Sequence, residues 1–157
     1  MKKSLNLIGT AGEYYVCAEL CRVGLLALLT PKNNPLFDVV ATDEEGKRSL
    51  SIQVKTRSIG NKQGWKLGKE ITNKQNNKSL FVVLVNLKEN EAPDYYIYEY
   101  DDLANRIEKV YNNYINTPKN DGNPRKPVSF RWYDESSFTD SDIKKKNNWT
   151  PILEYLA

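Results

Sequence analysis

One eight-residue run, LFVVLVNL at residues 80–87, constrains the fold more than any other part of the chain. Every position except Asn86 is apolar, whereas a strand with one face in water alternates apolar and polar side chains. A continuous apolar run is typical of a central strand that other layers cover on both faces. The chain must therefore supply a sheet and a cover for each of its faces, which indicates an α/β fold.

The residues before this run predict one helix and three strands. Apolar side chains recur at spacings of three and four over residues 4 to about 24, which predicts a helix. The strands are predicted at residues 25–30, 35–42 and 49–57. The first is apolar enough to be a buried strand, although it can also continue the helix. A short loop around Gly46 joins the other two as an antiparallel hairpin.

The residues after the hairpin predict a mixture of elements. The polar segment 58–78 contains either a short strand or a mobile flap around Trp65 and Leu67. Residues 95–100 alternate in polarity and are expected to pair antiparallel with the central run. The remaining elements are a helix over 102–115 capped by Asp101, a loop at 117–129, a strand at 128–133, and short helices at 139–148 and 151–156.

Length and composition limit the class of protein. A chain of 157 residues with 39% hydrophobic residues suits one globular domain. We expect a single domain over 1–157, with a core at about 5–115 and a C-terminal extension at about 116–157. No run reaches the ~20 apolar residues that a membrane span needs, and the N-terminus lacks the pattern of a signal peptide. We therefore expect a cytoplasmic protein without a membrane partner.

The absence of histidine excludes most common catalytic designs. The chain contains no histidine and only two cysteines, Cys17 and Cys21. A Ser-His or Cys-His nucleophile is therefore excluded, and a zinc site is not expected. Any hydrolysis has to depend on carboxylates, amides, lysine and a hard metal ion that prefers oxygen ligands.

Three polar residues of the predicted hairpin have this chemistry. Gln53 and Lys55 are two positions apart and share a strand face, and the pairing brings Asp38 across from them. Asp38, the Gln53 side chain and the Val54 backbone carbonyl can hold Mg²⁺ through oxygen atoms. Lys55 can then hold or deprotonate the attacking water. The alternative is a buried Asp38–Lys55 ion pair to which Gln53 is hydrogen-bonded.

A second carboxylate is expected from the first helix. Glu13 lies close to the apolar stripe of that helix rather than opposite it, so a helix packed on the sheet directs Glu13 toward the hairpin. Thr10 and Glu13 also match the S/T-x-x-E capping box, which would give Glu13 a structural role. Both interpretations are compatible with the sequence.

Basic residues are concentrated directly after the hairpin. Residues 55–78, named here the basic band, contain seven bases and one acid, Glu70. Such a band is typical of a polyanion contact, and its alternative is a solvated lysine-rich loop. The residues expected to contact nucleic acid are Arg57, Lys62, Lys66, Lys69 and Lys74, with further phosphate contacts from Lys119, Arg125, Lys126 and Arg131. Trp65, Trp132 and Tyr133 can stack on bases or belong to the core.

Three segments together resemble the PD-(D/E)XK nuclease superfamily in its Q-x-K variant. They are Gly12-Glu13, Phe37-Asp38-Val39-Val40 and Ile52-Gln53-Val54-Lys55-Thr56. The resemblance implies a restriction-endonuclease-like αβββαβ core with a central mixed sheet flanked by helices. It also implies that Glu13, Asp38, Gln53 and Lys55 are catalytic, with Mg²⁺ or Mn²⁺ as the cofactor.

The activity that the resemblance implies is metal-dependent hydrolysis of phosphodiester bonds in duplex or branched DNA. A homodimer is compatible with cutting two strands, and the oligomeric state stays open. Two positions depart from the superfamily pattern: the proline expected just before the aspartate stands at Pro35, and Gln53 replaces an acidic ligand. The alternative is therefore a catalytically inactive nuclease-fold module that binds nucleic acid or a protein partner.

Overall fold

A five-stranded mixed sheet forms the central layer of the computed structural model, which describes residues 4–157. The seven strands in this range are β1 (Leu26–Leu29), β2 (Val39–Thr42), β3 (Ser49–Arg57), β4 (Trp65–Gly68), β5 (Leu80–Asn86), β6 (Asp94–Glu99) and β7 (Phe130–Tyr133). The main sheet has the order β1-β2-β3-β5-β6, in which β3 and β5 are parallel and the other neighbours antiparallel. β4 and β7 form a separate antiparallel pair.

Helices cover both faces of the main sheet, as the α/β prediction requires. They are α1 (Leu5–Arg22), α2 (Tyr100–Asn116), α3 (Asp140–Ile143) and α4 (Thr150–Leu156), with 3₁₀ turns at Lys69–Thr72 and Glu135–Ser137. None of the helices in the described range is long and apolar enough to cross a membrane. The mixed sheet flanked by helices is thus confirmed. The connection from β3 to β5 contains β4 and one 3₁₀ turn, and the long helix α2 follows β6 instead.

The central run behaves as its composition predicts. β5 is buried at every position except Asn86, and its side chains alternate between two apolar clusters. Phe81, Val83 and Val85 pack with α1 and α4 on one face of the sheet. Leu80, Val82 and Leu84 pack with α2, β4 and β7 on the other. Burial on both faces explains why this strand carries no polar alternation.

Helix α1 contacts the sheet at Gly12, a position where an added side chain would meet Thr56 of β3. Gly12, Val16 and Leu20 are the buried residues of its stripe. A Cβ atom on Gly12 would lie 1.8 Å from the Thr56 hydroxyl oxygen, so the absence of a side chain allows the helix to approach β3. The helix begins at Leu5 with Ser4 at the N-cap position, and Thr10 lies within it. The capping-box interpretation of Glu13 was therefore wrong.

Two strand predictions need correction. β1 is an edge strand whose Leu26 and Leu28 side chains are 49% and 53% exposed, because the face of the sheet opposite α1 has no cover at this edge. β2 begins at Val39 rather than at residue 35. The Asn34 side chain accepts hydrogen bonds from the N–H groups of Leu36 and Phe37, which holds that segment in a turn.

Two helix predictions also need correction. α2 begins at Tyr100, and Asp101 does not cap it; its carboxylate accepts hydrogen bonds from the N–H groups of Gln75 and Asn76 and so fixes the end of the basic band. The helix predicted over 139–148 is reduced to the single turn of α3. The chain then turns so that Asn147 hydrogen-bonds with the Tyr95 backbone.

The residues after α2 are part of the core rather than an addition to it. Asp142 is buried, and its carboxylate accepts hydrogen bonds from the hydroxyls of Tyr98 and Tyr133 at 3.0 and 2.8 Å and from Arg106 Nε at 3.1 Å. Burial raises the pKa of Asp142, but the hydrogen bonds from Thr139, Tyr133 and Tyr98 outweigh it, so the pKa is lowered. The carboxylate therefore stays ionised and ties α3 to the sheet.

Candidate active site

Asp38 is held rigidly at the end of the β2–β3 hairpin. Its N–H donates to the Ile52 carbonyl at 2.8 Å, and its carbonyl accepts from the Thr30 N–H at 2.9 Å. Its carboxylate accepts a hydrogen bond from the Val54 N–H at 2.7 Å. The predicted hairpin pairing is confirmed, since Val39 is opposite Ile52 and Asp38 follows that register toward Gln53. The carboxylate thus lies beside the Gln53–Lys55 segment.

Gln53 and Lys55 lie on one strand face, as the alternation predicts, but their environments differ. Gln53 is only 8% exposed, and its Oε1 atom is buried without a hydrogen-bond partner. A buried acceptor without a donor is costly unless a cation or water meets it. Lys55 is half-buried, and no ion pair within residues 4–157 involves it. The alternative of an Asp38–Lys55 ion pair is therefore absent.

Glu13 reaches the same region from α1. Burial raises the pKa of Glu13, the nearby Asp38 carboxylate raises it further, and Lys32 opposes both effects. An acid whose ionisation is disfavoured by burial and by a nearby carboxylate is stabilised in its ionised form by a cation. Lys32 supplies positive charge near Glu13 from the turn after β1, where its ammonium donates to the Thr10 hydroxyl at 3.2 Å. No pattern in the sequence indicated Lys32.

Two cavities lie against the hairpin, and these residues line them. Glu13, Lys32 and Asp38 line a cavity of about 320 Å³ between α1 and the turn before β2. Gln53 and Lys55 line a second cavity of about 260 Å³, whose other walls include Glu70 and Tyr100. Glu70 was visible in the sequence only as the single acid of the basic band. Its carboxylate lies against Gly68, where a Cβ atom would come within 1.9 Å of Glu70 Oε1.

The donor set at the hairpin suits a hard cation. No group of three His, Cys, Asp or Glu side chains within residues 4–157 is arranged to hold a metal ion. A metal site here must therefore combine the carboxylates of Glu13 and Asp38 with neutral oxygens. The Gln53 amide and the Val54 carbonyl are oxygens of the kind that Mg²⁺ accepts beside waters. The orphaned Gln53 oxygen is the observation that fits such an ion.

The lysines of the basic band other than Lys55 lie on the surface. Lys62, Lys66, Lys69 and Lys74 are all exposed, and Lys66 extends over the Phe130 ring at 4.4 Å from its centroid. Arg57 differs from its prediction as a phosphate contact. It is 8% exposed, stacks on Trp65 at 4.2 Å, and forms a bidentate ion pair with Glu135. Its donors are directed into the protein, so we assign Arg57 a structural role.

The three aromatic residues singled out in the sequence have different environments. Trp65 and Tyr133 are buried in the core, and the Trp65 indole donates to the Val85 carbonyl at 3.0 Å. Trp132 is 37% exposed on the outer side of β7. Core packing thus accounts for two of them and leaves Trp132 available for contact with a ligand.

Comparison with known proteins finds likeness in solved structures alone, because no family model and no curated protein sequence matches the chain. The bacterial homing endonuclease I-Ssp6803I superposes with a TM-score of 0.54 at 17% identity, over 96% of this chain and 93% of that one. The Holliday junction resolvase Hjc from the archaeal hyperthermophile Archaeoglobus fulgidus has a TM-score of 0.45 at 16% identity, over 82% and 85%.

At these identities the likeness concerns the fold. The chain therefore shares its overall fold, a central mixed sheet flanked by helices, with the homing endonuclease I-Ssp6803I.

Proposed function

We propose that this protein is a metal-dependent DNA endonuclease that hydrolyses phosphodiester bonds. One observation carries the proposal: the Asp38 carboxylate is fixed on the Val54 N–H while the neighbouring Gln53 oxygen is buried without a partner. An acid and an amide oxygen that no protein donor satisfies thus stand on facing segments of the hairpin. A fold shared with a homing endonuclease is consistent with this chemistry.

The residues of the hairpin and of α1 would hold Mg²⁺ or Mn²⁺. Asp38 and Glu13 supply the negative charge, and Gln53 Oε1 and the Val54 carbonyl supply neutral oxygens. When bound, such an ion lowers the pKa of a water ligand and neutralises charge on phosphate oxygens. The raised pKa of Glu13 is consistent with two carboxylates placed to share one cation.

Lys55 is the candidate for handling the attacking water. It shares a strand face with Gln53, lines the same cavity, and has no carboxylate partner in the described part of the chain. An unpaired ammonium in such a cavity can orient the water by hydrogen bonding and offset the negative charge that develops on the phosphate. Glu70 lines this cavity as well, so we include it as a further acid that contacts water there.

DNA is the proposed partner, in duplex or branched form. Lys62, Lys66, Lys69 and Lys74 are exposed and would contact phosphates without reading sequence. Each chain carries the Asp38–Gln53–Lys55 group once, so cutting both strands at one place calls for two copies, and we include a homodimer in the proposal. Light scattering of the protein with and without DNA tests this part.

The decisive experiment measures nicking of supercoiled plasmid and cleavage of a branched DNA with Mg²⁺, Mn²⁺ or EDTA. We expect metal-dependent cleavage by the wild type, its loss in Asp38→Asn and Lys55→Ala, and unchanged cleavage in Lys47→Ala, a control in the β2–β3 turn. Gln53 in place of an acid favours a second candidate, a binding module without catalysis. Salt-sensitive DNA binding that neither EDTA nor Asp38→Asn changes, without cleavage, would establish that candidate instead.

A further inference from the structure

A groove of about 710 Å³ lies between α2 and β7, apart from the hairpin and its two cavities. Its volume is within the ~300–1,000 Å³ typical of ligand sites. Aromatic side chains from both elements line it, namely Tyr111, Tyr114, Phe130 and Trp132. The mechanism proposed above uses none of these residues.

Basic side chains stack on the aromatic rings along this groove. The Arg131 guanidinium lies 3.4 Å from the Tyr111 ring centroid, and Arg125 lies 4.5 Å from that of Tyr114. Arg131 is held in place because its Nη1 donates to the carbonyls of Val128 and Phe130 at 2.8 and 2.9 Å. Its Nε is buried without an acceptor. The groove therefore presents a fixed positive charge on an aromatic wall.

The groove exposes aromatic surface that the core does not use. Trp132 and Tyr114 are 37% and 44% exposed, whereas the neighbouring Tyr133 of the same strand is fully buried. The acid among the lining residues, Asp134, already accepts hydrogen bonds from the Ser136 N–H and hydroxyl. The acid of the groove is thus engaged locally, whereas the Arg131 guanidinium has no carboxylate partner within residues 4–157.

An occupant that matches these walls has a flat aromatic group and a negative charge. A nucleotide has both, since its base stacks on aromatic rings and its phosphate attracts arginine. Bases within a duplex are stacked on each other, so only an unpaired base can present its face to a protein. We propose that this groove binds unpaired nucleotides of single-stranded or locally unwound DNA.

The groove is continuous with the basic band. β4 pairs with β7 so that Lys66 is opposite Trp132, and the Lys66 ammonium lies 4.4 Å from the Phe130 ring centroid. A strand that leaves the cavity of Gln53 and Lys55 over the exposed lysines would therefore reach the aromatic wall along β4. The inference rests on the proposed function only in taking DNA as the polymer.

The test measures the affinity of a fluorescein-labelled single-stranded oligonucleotide of mixed sequence by anisotropy in EDTA, where no cleavage occurs. We expect Trp132→Ala to weaken binding by about fivefold or more, as loss of one base–aromatic stack does, and Trp132→Phe to restore most of the affinity. Tyr155→Ala is the matched control, because Tyr155 is also 37% exposed but lies on α4. Equal affinities of Trp132→Ala and the wild type would overturn the inference.

A second measurement does not depend on substitution. Ultraviolet cross-linking of wild-type protein to a 5-bromouracil oligonucleotide, followed by peptide mapping, should give adducts within residues 110–117 or 128–134. Adducts confined to other segments would overturn the inference.

The two proposals fail separately. If the protein cleaves plasmid but Trp132→Ala does not weaken single-strand binding, the groove proposal fails and the endonuclease proposal stands. If single-strand binding depends on Trp132 but the protein cleaves no DNA, the groove proposal stands and the endonuclease proposal fails.

Discussion

The Asp38 carboxylate and the Val54 N–H are joined by a hydrogen bond of 2.7 Å, which fixes an acidic side chain between Gln53 and Lys55. This bond engages one carboxylate oxygen with the backbone. The other oxygen accepts no hydrogen bond within residues 4–157. In metal sites, hydrogen bonding of this kind sets the orientation of a ligand before the metal binds. The Asp38 carboxylate is therefore held by the backbone of β3.

The substitution Asp38→Asn removes the charge of this side chain and keeps its hydrogen-bond acceptor. In Asp38→Asn the amide oxygen still accepts from the Val54 N–H, so we expect the folded state to persist while cleavage falls. Substitution of residues that hydrogen-bond to metal ligands lowers metal affinity or activity about 10–100-fold. Loss of a charged ligand itself should lower the cleavage rate by more than about a hundredfold. Plasmid nicking rates measure the loss, and thermal melting checks the fold. Cleavage at the wild-type rate would exclude Asp38 from the metal site.

Gln53 tests the metal without any measurement of activity. Gln53→Glu adds a third carboxylate beside Glu13 and Asp38 at a position only 8% exposed, so we expect a lower melting temperature in EDTA. Millimolar Mg²⁺ should raise that temperature more in Gln53→Glu than in the wild type, because binding to the native state stabilises it. Gln53→Leu is the control and should show the smallest response. Equal responses in all three proteins would contradict a metal ligand at this position.

Gly12→Ala tests the contact between α1 and β3. The added Cβ atom would lie 1.8 Å from Thr56 Oγ1, and overpacking of this kind costs about 1–3 kcal/mol of unfolding free energy. Gly9→Ala is the matched control in the same helix, since no heavy atom lies within 4 Å of its Cβ position, and it should stabilise by about 0.5–1 kcal/mol.

The Thr56 hydroxyl is buried without a hydrogen-bond partner, so Thr56→Ala should cost little by itself and relieve part of the Gly12→Ala penalty. Urea unfolding of the single and double variants measures this coupling. Strictly additive effects would show that the two residues do not meet.

Arg57 and Lys69 separate the structural bases of the band from those available to DNA. Arg57→Lys keeps the charge but loses the bidentate geometry toward Glu135, so we expect a loss of about 2 kcal/mol of stability and unchanged DNA affinity of the folded protein. Lys69→Ala should leave stability within about 0.5 kcal/mol and lower the slope of log affinity against log salt by about one. Urea unfolding and salt titrations of DNA binding make the comparison. Unchanged stability of Arg57→Lys together with weaker DNA binding would instead indicate that Arg57 contacts DNA.

Asp142 predicts acid sensitivity of the fold. Its pKa is lowered from 3.8 in the folded state, so its contribution is complete above that value and is lost as pH falls through the folded pKa. The urea midpoint should therefore decrease below about pH 4, and Asp142→Asn should be less stable at neutral pH with a weaker dependence in this range. An identical pH dependence in the two proteins would assign the acid transition to other carboxylates.

The parts of the fold that the sequence predicted correctly follow from local periodicity. α1, the β2–β3 hairpin, and the β5–β6 pair all have apolar patterns that match their own burial. The hairpin alone brings Asp38 opposite Gln53, which is why this pairing was predictable. Gln53, Lys55 and Arg57 do share one strand face, but alternation does not show where that face becomes covered by Trp65.

The contributions that the sequence did not reveal come from distant segments. Lys32 and Glu70 reach the two cavities from turns whose position depends on the packing of other elements. The pairing of β4 with β7 joins residues about 65 positions apart, and no local pattern identifies such partners. Asp142 appeared as one acid in a polar helix, because its burial depends on hydroxyls from β6 and β7.

The parallel pairing of β3 with β5 has a consequence for the order of folding. β1, β2 and β3 are joined by short turns and can associate early, so the contact of Asp38 with Val54 belongs to the fast local steps. Pairing with β5 requires closure of the segment 58–79, and the cavity wall at Glu70 and Tyr100 depends on that closure. We therefore expect refolding to form the contact of Asp38 with Val54 before the cavity that Gln53 and Lys55 line.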